Sequence, residues 1–599
     1  MPTSSRSSVS STSSEAALSG PAAPETAPPE PIEVVLDREI GELRTGLQTW
    51  QHLTLEQRAR LFERVRASVT ANAAEWAERA AAVKGLDDRH PLRGEEWLGG
   101  PYAVVVALDA YIRTLGRLSA GESPLAGLQL GTAPGNRVTV PAFPATPADS
   151  LLLSGYSADV WLRPGVTAEH ARATAGLAQK NPAGGGGVGL VLGAGNVTAI
   201  PVLDVFYELI AGNRVVILKL NPTMDALAEV FARALAPLVA AGFLRIVTGD
   251  GSVGAALTEH DGIDHVHITG SQPTFDAIVW GVGDDAARRR EEDRPALSKP
   301  ITAELGGVSP VIVVPGEWTA ADLRFQAEHV VTMRLQNAGH NCIAGQVVVL
   351  SRDWAQRGAF LSELRGAYLR APQRPTWYPN APERVARVAD SSPVAESYER
   401  GGERVLMVLD EGQDASALET TEYFAPVLGV VDLPGHGQDF LNAAVAYAND
   451  RLAGTLGANL LIDPVTRTAL GTGFDAAIAD LRYGAIAINA WTGFNFLLAN
   501  GTWGAYPGGT LEDVGSGIGV VHNALLLDDV ERTVVHGPFR PFPRSLRDAR
   551  DPAERTVLPK PPWFVTARTG AEVSEGFTRF QMTGNVAGLA RTLALALRA

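Results

Sequence analysis

Residues 188–219 read VGLVLGAGNVTAIPVLDVFYELIAGNRVVILK, and their pattern decides the fold. Val188–Leu192 is apolar without alternation, which predicts a strand covered on both faces. Val202–Ala211 predicts a helix, and Arg214–Lys219 predicts the next strand. A strand, a helix and a strand in so short a span imply a right-handed crossover and parallel pairing. The alternation continues with a helix over 225–241 closed by Gly242, a strand over 244–248, a helix over 252–259, a strand over 265–269 and a helix opened by Ser271. A second α/β unit begins near Glu304, with strands over 310–314, 346–350, 429–433 and 484–489 and a helix over 322–336. Parallel sheets of this type hold ligands at the carboxyl ends of their strands.

Outward from this core the signals weaken. Residues 33–90 place Ile40, Leu43, Leu47, Leu53, Leu61, Val65 and Val69 mostly at helical spacing, and 94–119 continue in that manner. Pro and Gly accumulate over 121–150, which predicts a loop-rich crossing, and 151–165 read as a short hairpin or an insertion. Gly184–Gly187 read as a flexible connector, because no Gly-Lys-Ser/Thr follows them. Residues 541–563 are rich in Pro and Arg, and 577–599 predict one terminal amphipathic helix. Residues 1–32 are Ser, Ala, Pro and Glu with almost no large apolar side chain, so they are expected to be disordered.

Composition excludes several classes. The net charge of −15 argues against a nucleic-acid partner, which needs clustered Lys and Arg. No run of about 18 apolar residues predicts a membrane span. A single cysteine cannot form an intramolecular disulfide, and with no apolar signal core at the amino end a cytoplasmic location is expected. No metal site is expected.

That cysteine, Cys342, lies in Gln336-Asn-Ala-Gly-His-Asn-Cys-Ile-Ala-Gly-Gln346, downstream of Glu304-Leu-Gly-Gly307. An unpaired thiol by itself is more often a small buried hydrophobe than a reagent. Paired with an upstream carboxylate on a glycine-marked turn, it has what acyl transfer through sulfur requires: a nucleophile and a base.

The motifs Gly193-Ala-Gly-Asn196, Ala211-Gly-Asn-Arg-Val-Val-Ile-Leu-Lys219, Thr248-Gly-Asp-Gly-Ser-Val-Gly254, Ile268-Thr-Gly-Ser271, Glu304-Leu-Gly-Gly307, the Cys342 loop, Glu422-Tyr-Phe-Ala-Pro426 and Asn489 occur in one order. In that order, over about residues 185–525, the chain resembles the NAD(P)-dependent aldehyde dehydrogenase superfamily. The resemblance implies an α/β fold of the aldehyde dehydrogenase type: a Rossmann-like cofactor domain, a catalytic domain, both with parallel sheets, and a small β oligomerisation element. It implies domains over 33–303 (with the hairpin or insertion near 145–180) and 304–505, a return to the cofactor domain with an interface strand over 506–540, and a C-terminal extension over 541–599. It further implies that Cys342 attacks an aldehyde carbon, that Asn196 and the Cys342 backbone N–H face the developing oxyanion, and that Glu304 activates water to hydrolyse the thioester. NAD or NADP would be held by Lys219, Gly249, Gly254, Thr269, Gly270, Ser271, Leu305, Glu422 and Phe424.

Some residues depart from the family pattern. Ala194-Gly195 stand where Pro-Trp usually precede the asparagine, Ala425 replaces a glycine, and Leu220-Asn221-Pro222 follow Lys219 without the usual ribose-gripping carboxylate. The last change leaves NAD and NADP both open. His340 reads as a structural residue or a tuner of the thiolate. Trp491, Phe494 and Phe496 read equally as an apolar substrate mouth or as core. An acylating or reductive relative and a catalytically silent member are the alternatives to a dehydrogenase. A homodimer or homotetramer is expected, with 151–165 and 532–536 as candidate interface strands.

Overall fold

The computed structural model describes residues 30–184, 186–398, 404–546 and 554–598. The expected disorder over 1–32 falls outside these residues as far as position 29; the first helix, Ile32–His52, begins within it.

Two sheets organise the chain, and their strands are those with continuous apolar runs. The six-stranded sheet has the order Gly517–Ile518, Ile301–Leu305, His265–Gly270, Val188–Leu192, Val215–Lys219, Leu244–Val247. All its pairings are parallel except that of Gly517–Ile518. Every residue of Val215–Lys219 is buried, as a strand covered on both faces requires. The order reverses at Val188–Leu192, so the loops after that strand and after His265–Gly270 diverge and leave a crevice. A boundary at residue 304 falls inside a strand: Ile301–Leu305 belongs to this sheet through Leu305, because Thr269 and Gly270 pair with Glu304 and Leu305.

The eleven-stranded sheet runs Gly131–Ala133, Arg137–Phe143, Ser157–Leu162, Val530–His536, Ala485–Ile488, Gly457–Leu461, Ser309–Val313, Gly345–Ser351, Val427–Leu433, Arg404–Val408, Ala395–Tyr398. Its middle is parallel and its two ends are antiparallel. Ser157–Leu162 joins Val530–His536 across the chain on one side and pairs with the preceding strand, Arg137–Phe143, on the other.

Four expectations need correction. The 121–150 crossing contains the strands Gly131–Ala133 and Arg137–Phe143, which pair with each other antiparallel across a short turn, the second pairing also with Ser157–Leu162. The helix expected over 225–241 is broken into Pro222–Leu227, Ala228–Ala234 and Ala236–Ala240, the second break falling where Pro237 cannot continue the hydrogen-bond ladder. The single terminal helix is two, Gly570–Thr583 and Val586–Ala596, divided at the left-handed Gly584. The glycine connector is tightly held: a Cβ on Gly186 would lie 1.8 Å from the Asn213 carbonyl oxygen.

The helices Ile32–His52, Leu55–Val83 and Ala103–Ser119 pack on the six-stranded sheet in one core with Trp50, Phe62, Trp76 and Phe206. Thr54 and Gln57 form a reciprocal cap that starts the second of them. Separate cores line the eleven-stranded sheet.

Candidate active site

The loop bearing Asn196 leaves the central strand of the six-stranded sheet and bends back on its neighbour. Gly193 N–H donates to the Lys219 carbonyl at 3.0 Å. Thr223 Oγ1 donates to the Gly195 carbonyl at 2.7 Å. A Cβ at Gly195 would meet Asn221 Cγ at 2.5 Å, so glycine permits this approach. Asn221 itself caps the following turn, its Oδ1 accepting from Thr223 N–H at 3.1 Å.

Cys342 comes from the other sheet. The helix Ala320–Leu335, started by a Thr319–Asp322 capping box, carries twelve buried residues and points its end at the crevice. Asn337, Ala338 and Gly339 then take φ of 53°, 55° and 76°, an unfavourable run for the first two. Buried groups over-determine it. Arg334 donates to the carbonyls of Gly339 (3.0 Å) and Ala425, and Asn337 N–H donates to Glu95 Oε2 at 3.1 Å. Asn337 Nδ2 reaches the Asn196 carbonyl at 3.0 Å, and Asn196 Nδ2 reaches the His340 carbonyl at 2.9 Å. The two loops are therefore laced together across the sheets. One N–H of the Asn196 amide is used in that lacing.

His340 is structural. Its Nδ1 bonds the Phe424 carbonyl at 2.8 Å, and its ring packs with Trp377, Tyr378 and Phe424. Burial lowers its pKa to about 3, so it carries no charge.

Glu304 faces the thiol. Its carboxyl accepts from Trp503 Nε1 at 3.0 Å, and the Cys342 thiol lies beside it. Burial pushes Glu304 up to about 7, against those two donors. Burial first, and then the Glu304 charge, raise the Cys342 thiol well above its ordinary value. At rest the proton sits on sulfur, beside a carboxylate poised to take it. Behind Glu304 lies His267, on the neighbouring strand, with Asp204 and His522 beyond it. Burial works against ionised Asp204, yet His267 and His522 hold it down at about 2.

Asn196, Glu304 and Cys342 open on a cleft of about 1830 Å³ that also presents Lys219, Gly254, Thr269, Gly270, Ser271, Leu305, Glu422 and Phe424. Of the residues expected there, Gly249 alone is not in the lining. With φ of 129° it shapes the turn before the helix Gly251–Glu259. Ser271 precedes the helix Gln272–Trp280, as an N-terminal position should, but its hydroxyl pairs with Thr274 Oγ1 at 3.0 Å. Glu422 is pressed against Gly306, where any Cβ would meet its carboxylate at 2.0 Å; its Oε1 has no hydrogen-bond partner. Burial, then repulsion by Glu304, raises Glu422 to about 8. These features suit a dinucleotide: helix N–H groups for a diphosphate, the Lys219 ammonium and a free carboxyl oxygen for ribose hydroxyls.

A second cavity, of about 70 Å³, shares Asn196, Ile200 and Cys342 with the cleft, so the two meet at the sulfur. Trp491, Phe494 and Phe496 line it, together with Trp503 and Trp563. Sequence reading had no means to find Trp503, which reaches Glu304 from 199 residues away, or Trp563 in the C-terminal segment. The buried Lys84, Glu95 and Glu96, also in this wall, look like an ordinary solvated helix face in the sequence. Among the described residues no group of three or more His, Cys, Asp or Glu is arranged to hold a metal.

Residues 163–373, which include Asn196, Lys219, Glu304 and Cys342, match the model of the aldehyde dehydrogenase family. A curated relative, the alpha-ketoglutaric semialdehyde dehydrogenase of Bacillus subtilis (strain 168), is 33% identical over 160 residues. That segment is 26% of this chain and 30% of the relative's length. Solved structures share the fold over most of the chain. The NAD-dependent aldehyde dehydrogenase from Sinorhizobium meliloti covers 85% of it and 88% of itself, with a TM-score of 0.55 and 18% identity. The NADP-dependent glyceraldehyde-3-phosphate dehydrogenase from Bacillus halodurans C-125, complexed with NADP, covers 84% and 91% with a TM-score of 0.53 and 17% identity. The family match takes in both loops, and the fold is shared with solved structures of that name: over residues 163–373 the chain is similar to the aldehyde dehydrogenase family.

Proposed function

We propose that this chain oxidises an aldehyde to a carboxylic acid with NAD or NADP as acceptor, through a thioester on Cys342. One observation carries the reading: the Cys342 thiol and the Glu304 carboxyl act on each other in the cleft wall, and Cys342 stands where the large cleft and the small cavity meet. The cleft has the room and the polar groups for a dinucleotide, and the cavity has room for a small aldehyde.

In this reading Glu304 takes the thiol proton and the sulfur adds to the carbonyl carbon, forming a hemithioacetal. The second N–H of Asn196 and the Cys342 backbone N–H stabilise the oxyanion. A dinucleotide held in the cleft would supply the acceptor for the hydride that this adduct must lose to become a thioester. Glu304, once it has passed the thiol proton on to solvent, takes a proton from water, which adds to the thioester and expels the Cys342 thiolate with the acid. Lys219 and Glu422 hold ribose hydroxyls, and the turn at Gly270 and Ser271 faces the diphosphate. A carboxylate base beside the thiol favours hydrolysis over transfer to another thiol, and so this reading over an acylating relative.

The protein is expected to act as a homodimer or homotetramer in the cytoplasm, with the antiparallel end of the large sheet, Gly131–Leu162, as the candidate interface. No helix among the described residues is long and apolar enough to cross a membrane.

Absorbance at the reduced-nicotinamide band, followed with an aldehyde panel and each dinucleotide, tests the reading. Turnover is expected with at least one pair, and Cys342→Ala is expected to abolish it. No turnover with any pair would leave a silent family member.

A further inference from the structure

We propose that Glu95 and Arg374 are positioning residues of the oxyanion hole: together they hold Asn337, and through it they aim the donors of Asn196 and Cys342 at one point. The inference rests on the thioester reading above and adds to it two residues that act through a third.

Asn337 is buried, and each of its polar groups has a partner. Its N–H donates to Glu95 Oε2 at 3.1 Å, and its Oδ1 accepts from Arg374 Nη2 at 3.3 Å. Its Nδ2 donates to the carbonyls of Asn196 and His340, both at 3.0 Å, and lies 3.2 Å from Asn341 Oδ1. Its own carbonyl accepts from His340 N–H at 3.0 Å, which closes the turn that leads into Cys342. Asn337 thus meets an ion pair on one side and, on the other, the two loops that carry Asn196 and Cys342.

The pair fixes which way round the residue sits. Glu95 and Arg374, both buried, also bond each other, so one carboxylate oxygen receives both the guanidinium and the Asn337 N–H. That grip holds the backbone at φ 53°, a left-handed conformation that asparagine tolerates. The guanidinium can only donate, so the amide must turn its oxygen to Arg374 and its nitrogen to the two carbonyls. With the amide reversed, an oxygen would face two carbonyl oxygens and the NH2 would face the guanidinium. The nitrogen therefore holds Asn196 by its carbonyl, while Asn196 Nδ2 gives one N–H to the His340 carbonyl at 2.9 Å. The second N–H of Asn196 and the N–H of Cys342 take their directions from this frame.

Stability alone does not account for the arrangement. A buried ion pair gains little over apolar side chains of the same volume. Lys84 and Glu96 beside it, 2.8 Å apart, balance each other and do not need Glu95 and Arg374 for neutrality.

Two reactions of Cys342 separate positioning from packing. Acylation by p-nitrophenyl acetate passes through an oxyanion: the sulfur adds to the ester carbonyl, p-nitrophenolate leaves, and an acetyl thioester remains. Alkylation by iodoacetamide forms the S–C bond as iodide leaves, with no oxyanion on the way. Neither needs a dinucleotide. In the double variant Glu95→Leu, Arg374→Met, which leaves no lone buried charge, the acylation burst is expected to slow about 10–100-fold, part of what loss of a whole oxyanion donor costs, while alkylation stays at the parent rate. Asn337→Gly, which keeps the ion pair and removes only the amide, is expected to separate the two rates in the same way. In either variant, both rates unchanged or both lowered alike would overturn the proposal, and so would failure of both variants to fold. A parent protein that is alkylated but not acylated has no working oxyanion hole and overturns it too. If the parent acylates yet turns over no aldehyde with either dinucleotide, the dehydrogenase reading falls, and the burst still decides the role of the pair.

Discussion

Cys342 and Glu304 define each other at the residue scale. The thiol is held above its ordinary value by burial and by the carboxylate, and the carboxyl is raised to about 7 by burial. Only ionised Glu304 can accept a proton, so kcat/KM is expected to rise with pH through about 7. Glu304→Gln is expected to lower turnover by about 10²–10⁴-fold. Its remaining acylation burst should climb only as the pH approaches the thiol's own high value, a shift that stopped-flow traces at several pH values would reveal. Trp503 Nε1 donates to the ionised form of Glu304 and so lowers its pKa. Trp503→Phe should move the rising limb to higher pH by up to about one unit; a limb that stays put would show that the indole does not tune the base. Both members of the Cys–Glu pair were legible in the sequence because nucleophile and base are chemically distinctive. The indole was not, because a tryptophan carries no mark of the partner it will reach.

At the scale of elements, the segment after residue 540 is built into the catalytic half. Val565 N–H donates to Thr332 Oγ1 in the middle of the helix that delivers Cys342, and Lys560 pairs with Glu328 on the same helix at 2.8 Å. The helix Gly570–Thr583 lies against Gly94–Trp97, so closely that a Cβ on Gly94 would meet Ala571 Cα at 2.7 Å. That short helix carries Glu95 and Glu96 into the cavity wall. Trp563 completes the wall, packed on Phe494 with ring centroids 5.5 Å apart. Trp563→Ala is expected to cost about 3–5 kcal/mol in urea unfolding, as a large buried side chain leaves a void. It should also lower KM for bulkier aldehydes, since the void extends the cavity. Stability loss without that change in selectivity would make the extension a brace and nothing more. Helices with a strong apolar stripe were readable here, whereas the docking of Pro-rich loops was not, because their contacts follow no period.

Over the whole molecule, buried titratable groups set the response to acid. Burial holds His329 and His340 at about 3 and His536 at about 4. Each gains its proton near pH 6.5 once unfolded, so the unfolded chain binds more protons and stability falls as pH drops from 6.5 towards 4. Asp204 and Glu208, held at about 2 against burial by neighbouring histidines, act in the same direction at lower pH. Glu304 and Glu422, raised to about 7 and 8, act oppositely: their contribution is present at low pH and is lost as pH rises through those values. Through these three histidines the melting temperature is expected to decline below pH 6.5, a decline that Glu304, Glu422 and the likewise raised Glu95 and His267 oppose, and calorimetry of parent and variant side by side isolates it. His329 is stacked on Phe564 at 4.9 Å, and His329→Phe should flatten that decline by up to about 1.4 kcal/mol per pH unit.

The sequence by itself determined the parallel α/β units, the order of the motifs and the thiol–carboxylate pair. Each rests on local period or local chemistry: unbroken apolar runs make buried strands, and a lone thiol near a glycine-marked carboxylate keeps its meaning without a fold. Only the tertiary structure decided which strands join the ends of the large sheet, that Trp503 holds Glu304, and that Lys84, Glu95, Glu96 and Trp563 close the cavity beside Cys342. Those contacts join segments hundreds of residues apart, and burial, which turns an ordinary charged helix face into a balanced ion cluster, belongs to the folded chain alone.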